Sequence, residues 1–310
     1  MDSQMKILDL INQKQIQETQ LNQLVYGAIE IRDKDNKKYI YTHTKEDGIQ
    51  NTKYIGEYSD NLYNLILNNN IKAKEIKKII RNIEKQLKEL NYVDEELSLE
   101  VSRNIDFAKK HLADTIYKQA ILEGVATTLS DTENIIEGGK VNNMSSEDIL
   151  KVVNLKHAWE FILNKNVILS KTDYNVLCTI NKLVEEGFYY NNGMLRTTPV
   201  KIGGTDWMPD LPIESDIKMD LLNILNSDID VVEKAINLLL YVVKKQMFID
   251  GNKRTSVIYA NHYLISKGKG IIVIPIENVN EYKLLLIKFY ESNDDKAIKE
   301  FIRKNCYIEL

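Results

Sequence analysis

The sequence predicts a mainly α-helical protein, preceded by a small N-terminal antiparallel β-meander and a linking helix. Three observations carry this expectation. Residues 23–58 are rich in Tyr and Ile and partly alternate, whereas apolar residues recur at spacings of three and four from about residue 60 onward. Only four prolines occur in 310 residues, so few helices are interrupted. One island, "GMLRTTPVKIGGTDWMPDLP" at residues 193–212, holds three of those prolines and three glycines and stands apart as non-helical.

The elements follow in chain order. "LVYGAIEIR", "KKYIYTHT" and "TKYIGEY" read as three strands, separated by the turn-like "DKDN" and "KEDG". They assign residues 1–60 to an N-terminal module. Leu62, Leu65 and Ile66, then Ile76, Ile79, Ile80, Ile83, Leu87 and Leu90, mark an amphipathic helix that links the parts over residues 61–94. Residues 95–310 form the helical domain. "VDEELSLEVSRNIDFAKKHLADTIYKQAILEGV" reads as helix. "SSEDILKVVNLKHAWEFIL" opens on Ser145, with Asp148 three residues on, a weak capping box. The island over 193–212 reads as a hairpin or flap, with short β-type runs flanking Gly203 and Gly204. "DIDVVEKAINLLLYVVKKQMF" is a strongly apolar helix and is expected to be central.

Composition narrows the function. A net charge of −4 gives no global basic field for nucleic acid or an anionic membrane. Lys34, Lys37, Lys38, Lys45 and Lys53 make the N-terminal module locally positive, but acidic residues interleave, so structural, oligomerisation or target-recognition roles come before nucleic acid. Cys178 and Cys306 lack metal-ligand spacing and read as buried or incidental thiols. The start, "MDSQMKILDL", is no signal peptide, and no apolar run reaches the roughly 18 residues that span a membrane. The expected setting is the cytoplasm, with a secreted effector left open.

The chemistry concentrates in "KKQMFIDGNKRTSVIYANHYL", residues 244–264. An apolar helix is expected to end near Phe248, and a second begins after "DGNKR". The unpaired N–H groups and positive dipole end of that second helix suit an anion. Gly251 permits a close backbone approach, and Asn252 can donate from its amide. Lys253 and Arg254 add positive charge, and Asp250 can hold Mg²⁺ that also binds phosphate oxygens. A D-G-N turn that merely caps a helix has the same letters.

Further segments weigh against the bland reading. "FIDGNKRT" resembles the core motif of Fic domains, H-x-F-x-[DE]-G-N-[GK]-R. "AILEGVATTLSD" (120–131) is similar to the family's inhibitory-glutamate segment, "KVVNLKHAWEFI" (151–162) to its E-V-x-N-x-x-x-A helix, and "GMLRTTPVKIGG" (193–204) to its flap. The four lie in family order over about residues 115–275. The resemblance implies a Fic-type helical bundle with a β-hairpin flap. It implies transfer of AMP from ATP, or of another phosphate-containing group, to a Ser, Thr or Tyr hydroxyl of a target protein. Asp250 would hold Mg²⁺, and Gly251, Asn252, Lys253 and Arg254 would form the phosphate cradle. Arg196, Val200, Ile202, Gly203 and Gly204 would align the target segment by strand-like pairing. Glu123 would be the inhibitory glutamate.

The sequence departs from the family pattern at three places. Gln246 stands where the family has its catalytic histidine, and an amide has no basic nitrogen. A positioned base contributes roughly 10²–10⁴-fold. Weak transfer by Gln246, Asp250 and Arg254, or a catalytically inactive nucleotide- or partner-binding module, are therefore both open. Val257 stands where many members carry a second arginine, in a "GNKR" form similar to the Doc branch, which transfers a phosphoryl group. Gln119 occupies a Ser/Thr position. His43, His111, His157 and His262 read as surface or packing residues, and Trp207 as packing at the flap base. Tyr189 and Tyr190 are candidates for self-modification beside an ordinary surface role.

Overall fold

The computed structural model describes residues 3–34, 37–46, 49–90, 92, 96–142 and 144–310. Parts of both expected meander turns (35–36 and 47–48) and the expected helix start at 93–95 lie outside the described residues. The chain divides into two compact units, residues 1–93 and 94–310.

The first unit opens with a helix that the alternation pattern does not reveal. Helix α1 (Ser3–Gln23) buries Leu8, Leu10 and Ile11. Strands β1 (Ala28–Lys34), β2 (Lys37–Glu46) and β3 (Ile49–Glu57) form the antiparallel meander, in register Ile31↔Ile40 and Tyr41↔Tyr54. Alternation sorts the faces: Ile40 and Thr42 are buried, while the rings of Tyr39 and Tyr41 lie 6.1 and 5.4 Å from Tyr54. Helix α2 (Asp60–Glu89) begins at Ser59, whose hydroxyl accepts from Leu62 N at 3.2 Å. Although expected as a connector, α2 is a packing element of this unit. It buries Ile66, Ala73, Ile83 and Leu87 and lies against α1, with Lys14 Nζ 2.9 Å from Glu84. Its Asn70 amide donates to Gly27 O at 3.0 Å and accepts from Gly27 N at 2.7 Å, which fixes the entry to the sheet.

The second unit is helical. Its elements are α3 (Leu99–Lys110), α4 (Leu112–Leu122), α5 (Leu129–Ile136), α6 (Ser146–Ile162), α7 (Lys165–Ile168), α8 (Tyr174–Val184), α9 (Glu214–Asn226), α10 (Val231–Lys245), α11 (Asn252–Ser266), β4 (Ile271–Ile272), α12 (Val279–Ser292), α13 (Lys296–Asn305) and β5 (Tyr307–Ile308). The long helix expected over 94–125 is two helices, because the backbone leaves helical geometry at His111 (φ −104°, ψ 16°). Ser145 does cap α6, accepting from Asp148 N at 3.0 Å. Helices α10 and α11 pack together at the centre. Helix α11 is buried all round from Arg254 to Ile265 and satisfies its polar residues internally: His262 pairs with Thr172 and Val167 O, and Asn261 with Ile272 and Val257 O. The histidine expected as a packing residue is therefore one.

The segment expected as a β-hairpin differs. Residues 193–212 form an irregular loop, with no strand among them. A guanidinium replaces the ladder. Arg196, fully buried, donates to the carbonyls of Thr198 (2.9 Å), Pro209 (3.2 Å), Asp210 (2.5 Å) and Gln246 (2.6 Å). Three prolines lack the N–H a ladder needs, and Gly204 takes φ +87° against Ile287. No helix among the described residues is long and apolar enough to cross a membrane.

Candidate functional site

The site is built at the junction of α10 and α11. Helix α10 ends at Lys245, three residues before the expected end at Phe248. Its C-cap, Gln246, has left-handed geometry (φ 46°, ψ 58°), uncommon for a residue with a side chain. This turn reverses the chain and sends residues 247–251 toward α8. The loop then closes on itself: Asn252 accepts from Phe248 N at 3.0 Å and donates to Phe248 O at 2.9 Å. Asn252 was expected to donate to phosphate, but its amide is committed to shaping the loop. Asn181 of α8 secures the same loop, donating to Asp250 O and Thr255 Oγ1, each at 3.1 Å, and accepting from Gly193 N at 3.0 Å.

Gly251 is the N-cap of α11 and takes φ +74°. A Cβ there would lie 2.3 Å from Glu185 Oε1, so glycine is required both by its backbone and by a carboxylate lying directly against it. The N–H groups of Asn252, Lys253 and Arg254 precede the first intrahelical bond, which Thr255 N makes to Gly251 O at 2.8 Å. Asp250 is half exposed; its Oδ1 accepts from Gly251 N at 2.7 Å.

Charge collects around Arg254, whose side chain is 3% exposed. Its Nη2 lies 2.7 Å from Glu185 Oε1 and 3.6 Å from Asp250 Oδ2, and its Nε lies 3.6 Å from Glu123 Oε2. Lys253 Nζ is 3.5 Å from Glu123 Oε1. Arg254 Nε and Nη1 are buried and make no hydrogen bond among the described residues. Glu123, the C-cap of α4, thus reaches the cradle through Lys253 and Arg254 although position 257 is an apolar valine. Burial pushes the Glu185 carboxyl up to about 7 against the pull of Arg254, and the neighbouring carboxylates of Asp250 and Glu123 push the same way.

Glu185 was missed by the sequence reading. The available signal was its place four residues after Asn181, on the same face of an apolar helix. Gln119 joins the remaining segments. Its amide donates to Arg254 O at 2.9 Å and accepts from Trp159 Nε1 at 2.8 Å, so α4, α6 and the first turn of α11 share one buried relay. Asn154 of α6 donates to Val184 O and Glu186 O, pinning the backbone on both sides of Glu185.

The flap residues divide. Arg196 is part of the loop's internal scaffold and presents no free guanidinium to a partner, because its donors are used by carbonyls. Gly203 and Gly204 are exposed and Val200 and Ile202 half-buried, which leaves these four at the surface. Trp207 packs as expected, stacked on Tyr290 at 5.5 Å and 10°. The Tyr290 hydroxyl pairs with the Gln246 side chain, whose Nε2 donates to Val243 O at 2.7 Å.

Residues 171–264, which span this junction, match the model of the Fic/DOC family. Residues 171–264 are a Fic-family segment. The solved structures the chain resembles have the same fold. Fic-1 from C. elegans superposes with a TM-score of 0.54 at 18% identity, over 74% of this chain and 72% of that one. A Fic domain containing signaling protein from Bacteroides thetaiotaomicron gives 0.50 at 20%, over 62% and 75%. A Fic family protein from Desulfovibrio desulfuricans gives 0.52 at 15%, over 67% and 72%. No curated protein sequence matches. The fold brings Glu123, Glu185, Asp250, Lys253 and Arg254 together at the N-terminus of α11.

Proposed function

We propose that this Fic domain is a transferase that moves AMP, or another phosphate-containing group, from a nucleotide to a Ser, Thr or Tyr hydroxyl of a target protein. The carrying observation is Arg254: a buried guanidinium whose Nε and Nη1 make no hydrogen bond among the described residues, at the N-terminus of a helix. Such donors suit phosphate oxygens. ATP is the first donor to test, and a cytoplasmic setting would supply it.

The donor set also fits Mg²⁺. Mg²⁺ bound partly through phosphate oxygens needs one or two carboxylates, and Asp250 is half exposed beside the cradle. When bound there, the ion would neutralise phosphate charge. Asp250 would hold it, Lys253 and Arg254 would hold phosphate oxygens, and the surface of the flap would align the target. In AMP transfer the hydroxyl oxygen bonds to the α-phosphorus, the bond to the bridging oxygen breaks, and pyrophosphate leaves. Gln246 orients the hydroxyl but takes no proton, so the proton passes to water and turnover is slow.

A second reading is favoured by Gln246 itself, whose amide is spent on Val243 O and Tyr290. In it the chain is an inactive pseudoenzyme that binds nucleotide or a partner. Incubation with α- and γ-labelled ATP, with and without lysate protein, decides between them. Label from the α position alone supports AMP transfer, and label from the γ position alone supports phosphoryl transfer. No label with either, together with millimolar nucleotide binding, supports the pseudoenzyme. Calorimetry that detects no nucleotide binding at millimolar concentration would overturn the transferase reading and the nucleotide-binding form of the second.

A further inference from the structure

The charge of the cradle does not match a triphosphate. Around Arg254 and Lys253 stand three carboxylates, Glu123, Glu185 and Asp250, so two cations leave one negative charge over. Lys151 also acts on Glu185 but is paired with Glu147 at 2.7 Å and adds no net charge. Val257, one turn further along α11, is buried and contributes none. The α11 N-terminus offers about half a positive charge.

Glu185 cannot step aside. Its side chain is 2% exposed, Gly251 lies against its Oε1, and Asn154 holds the carbonyls of Val184 and Glu186 on either side. At pH 8 its charge is therefore built into the floor of the loop.

One Mg²⁺ on Asp250 would bring the cluster to about +1.5. A triphosphate brings about four negative charges and would leave the cluster strongly negative. A diphosphate esterified at both ends brings about two, and leaves it within about half a charge of neutral. Uncompensated charge beside the buried Arg254 and Glu185 opposes binding.

We propose that the preferred donor is a diphosphate-bridged diester, of the nucleoside-diphosphate-ester class, and that Glu185 sets this preference. The proposal rests on the nucleotide-donor reading above and narrows its donor class. In transfer, the target hydroxyl oxygen bonds to one phosphorus and the bridging P–O bond breaks. The other phosphate leaves as a monoester, and the hydroxyl proton passes to water.

Calorimetry on the full chain at pH 8 with Mg²⁺ tests it, with ADP-ribose as the diphosphate diester and ATP as the triphosphate. ADP-ribose is expected to bind about tenfold more tightly than ATP. Glu185→Gln should shrink that ratio several-fold by tightening ATP, and Glu123→Gln, at a less buried carboxylate, should move it the same way. The wild-type comparison needs no variant and stands even where Glu185→Gln does not fold. ATP binding as tightly as ADP-ribose overturns the donor class while leaving the nucleotide site intact. A ratio that Glu185→Gln leaves unchanged overturns the role of Glu185. Binding of neither compound at millimolar concentration overturns this proposal and the nucleotide reading together.

Discussion

Replacing Arg196 by Met should loosen the whole 193–212 loop. The wild-type guanidinium donates four hydrogen bonds to carbonyls of Thr198, Pro209, Asp210 and Gln246. A hydrogen bond from a charged group is worth about 1.5–3 kcal/mol net, so the four have a gross value of about 6–12 kcal/mol. Two effects reduce that figure. Burial disfavours the charged guanidinium, as its lowered proton affinity shows, and the substitution removes that cost. Three of the four bonds are only part-buried, so their carbonyls reach water once the loop opens. A loss of about 3–5 kcal/mol remains. Urea unfolding, read by far-ultraviolet circular dichroism, measures it, and limited proteolysis between Met194 and Pro212 reports the loop directly. Arg196→Lys should recover less than half, because an ammonium cannot span four carbonyls. A loss below about 1 kcal/mol, with protease cleavage unchanged, would refute the idea that this guanidinium stands in for a strand ladder.

Four further outcomes are expected. Gly251→Ala places a Cβ 2.3 Å from Glu185 Oε1 at φ +74°, and should cost about 2 kcal/mol or more in urea unfolding and abolish nucleotide binding in calorimetry. His262 and Glu185 should oppose one another in pH dependence. Burial lowers His262 to about 4, so its contribution is full above its unfolded pKa of 6.5 and is lost as pH falls toward 4. Glu185 is raised to about 7, so its contribution is full below 4.5 and is lost as pH rises toward 7. Each is worth about 3 kcal/mol. Urea midpoints should therefore fall with rising pH in His262→Asn and rise with it in Glu185→Gln; slopes of the reverse sign would contradict both assignments. Gln246→His should raise label transfer at least tenfold if the missing base limits turnover, and equal labelling by wild type and variant would show another limit. Asp250→Ala should weaken Mg²⁺-dependent nucleotide binding with little change in the urea midpoint, because its half-exposed carboxylate accepts one hydrogen bond among the described residues, from the adjacent Gly251 N–H, and its ion pair with Arg254 is long at 3.6 Å.

What could be read without coordinates was local. Alternation at Tyr39, Tyr41 and Tyr54 and the three-and-four spacing of apolar residues depend on neighbours along the chain, so strands and most helices were legible. The letters D-G-N-K-R between two apolar helices were enough to place a glycine-opened helix N-terminus, since helix ends and a left-handed glycine are local features. The first helix was missed because its polar residues hide a short buried stripe of Leu8, Leu10 and Ile11.

Tertiary structure decided which groups meet. Burial and charge at one point depend on residues far apart in the chain. Glu185 reaches Arg254 from 69 positions away, and Gln119 reaches its carbonyl from 135. Only the fold shows that Asn252 is spent on Phe248, that Arg196 faces inward, and that two cations must serve three carboxylates. The sequence alone determined that a glycine-opened helix N-terminus carrying Lys253 and Arg254 follows Asp250. The packing of α4, α8 and α11 decided its charge, because burial converts a carboxylate that would be ordinary at the surface into a fixed feature of the site.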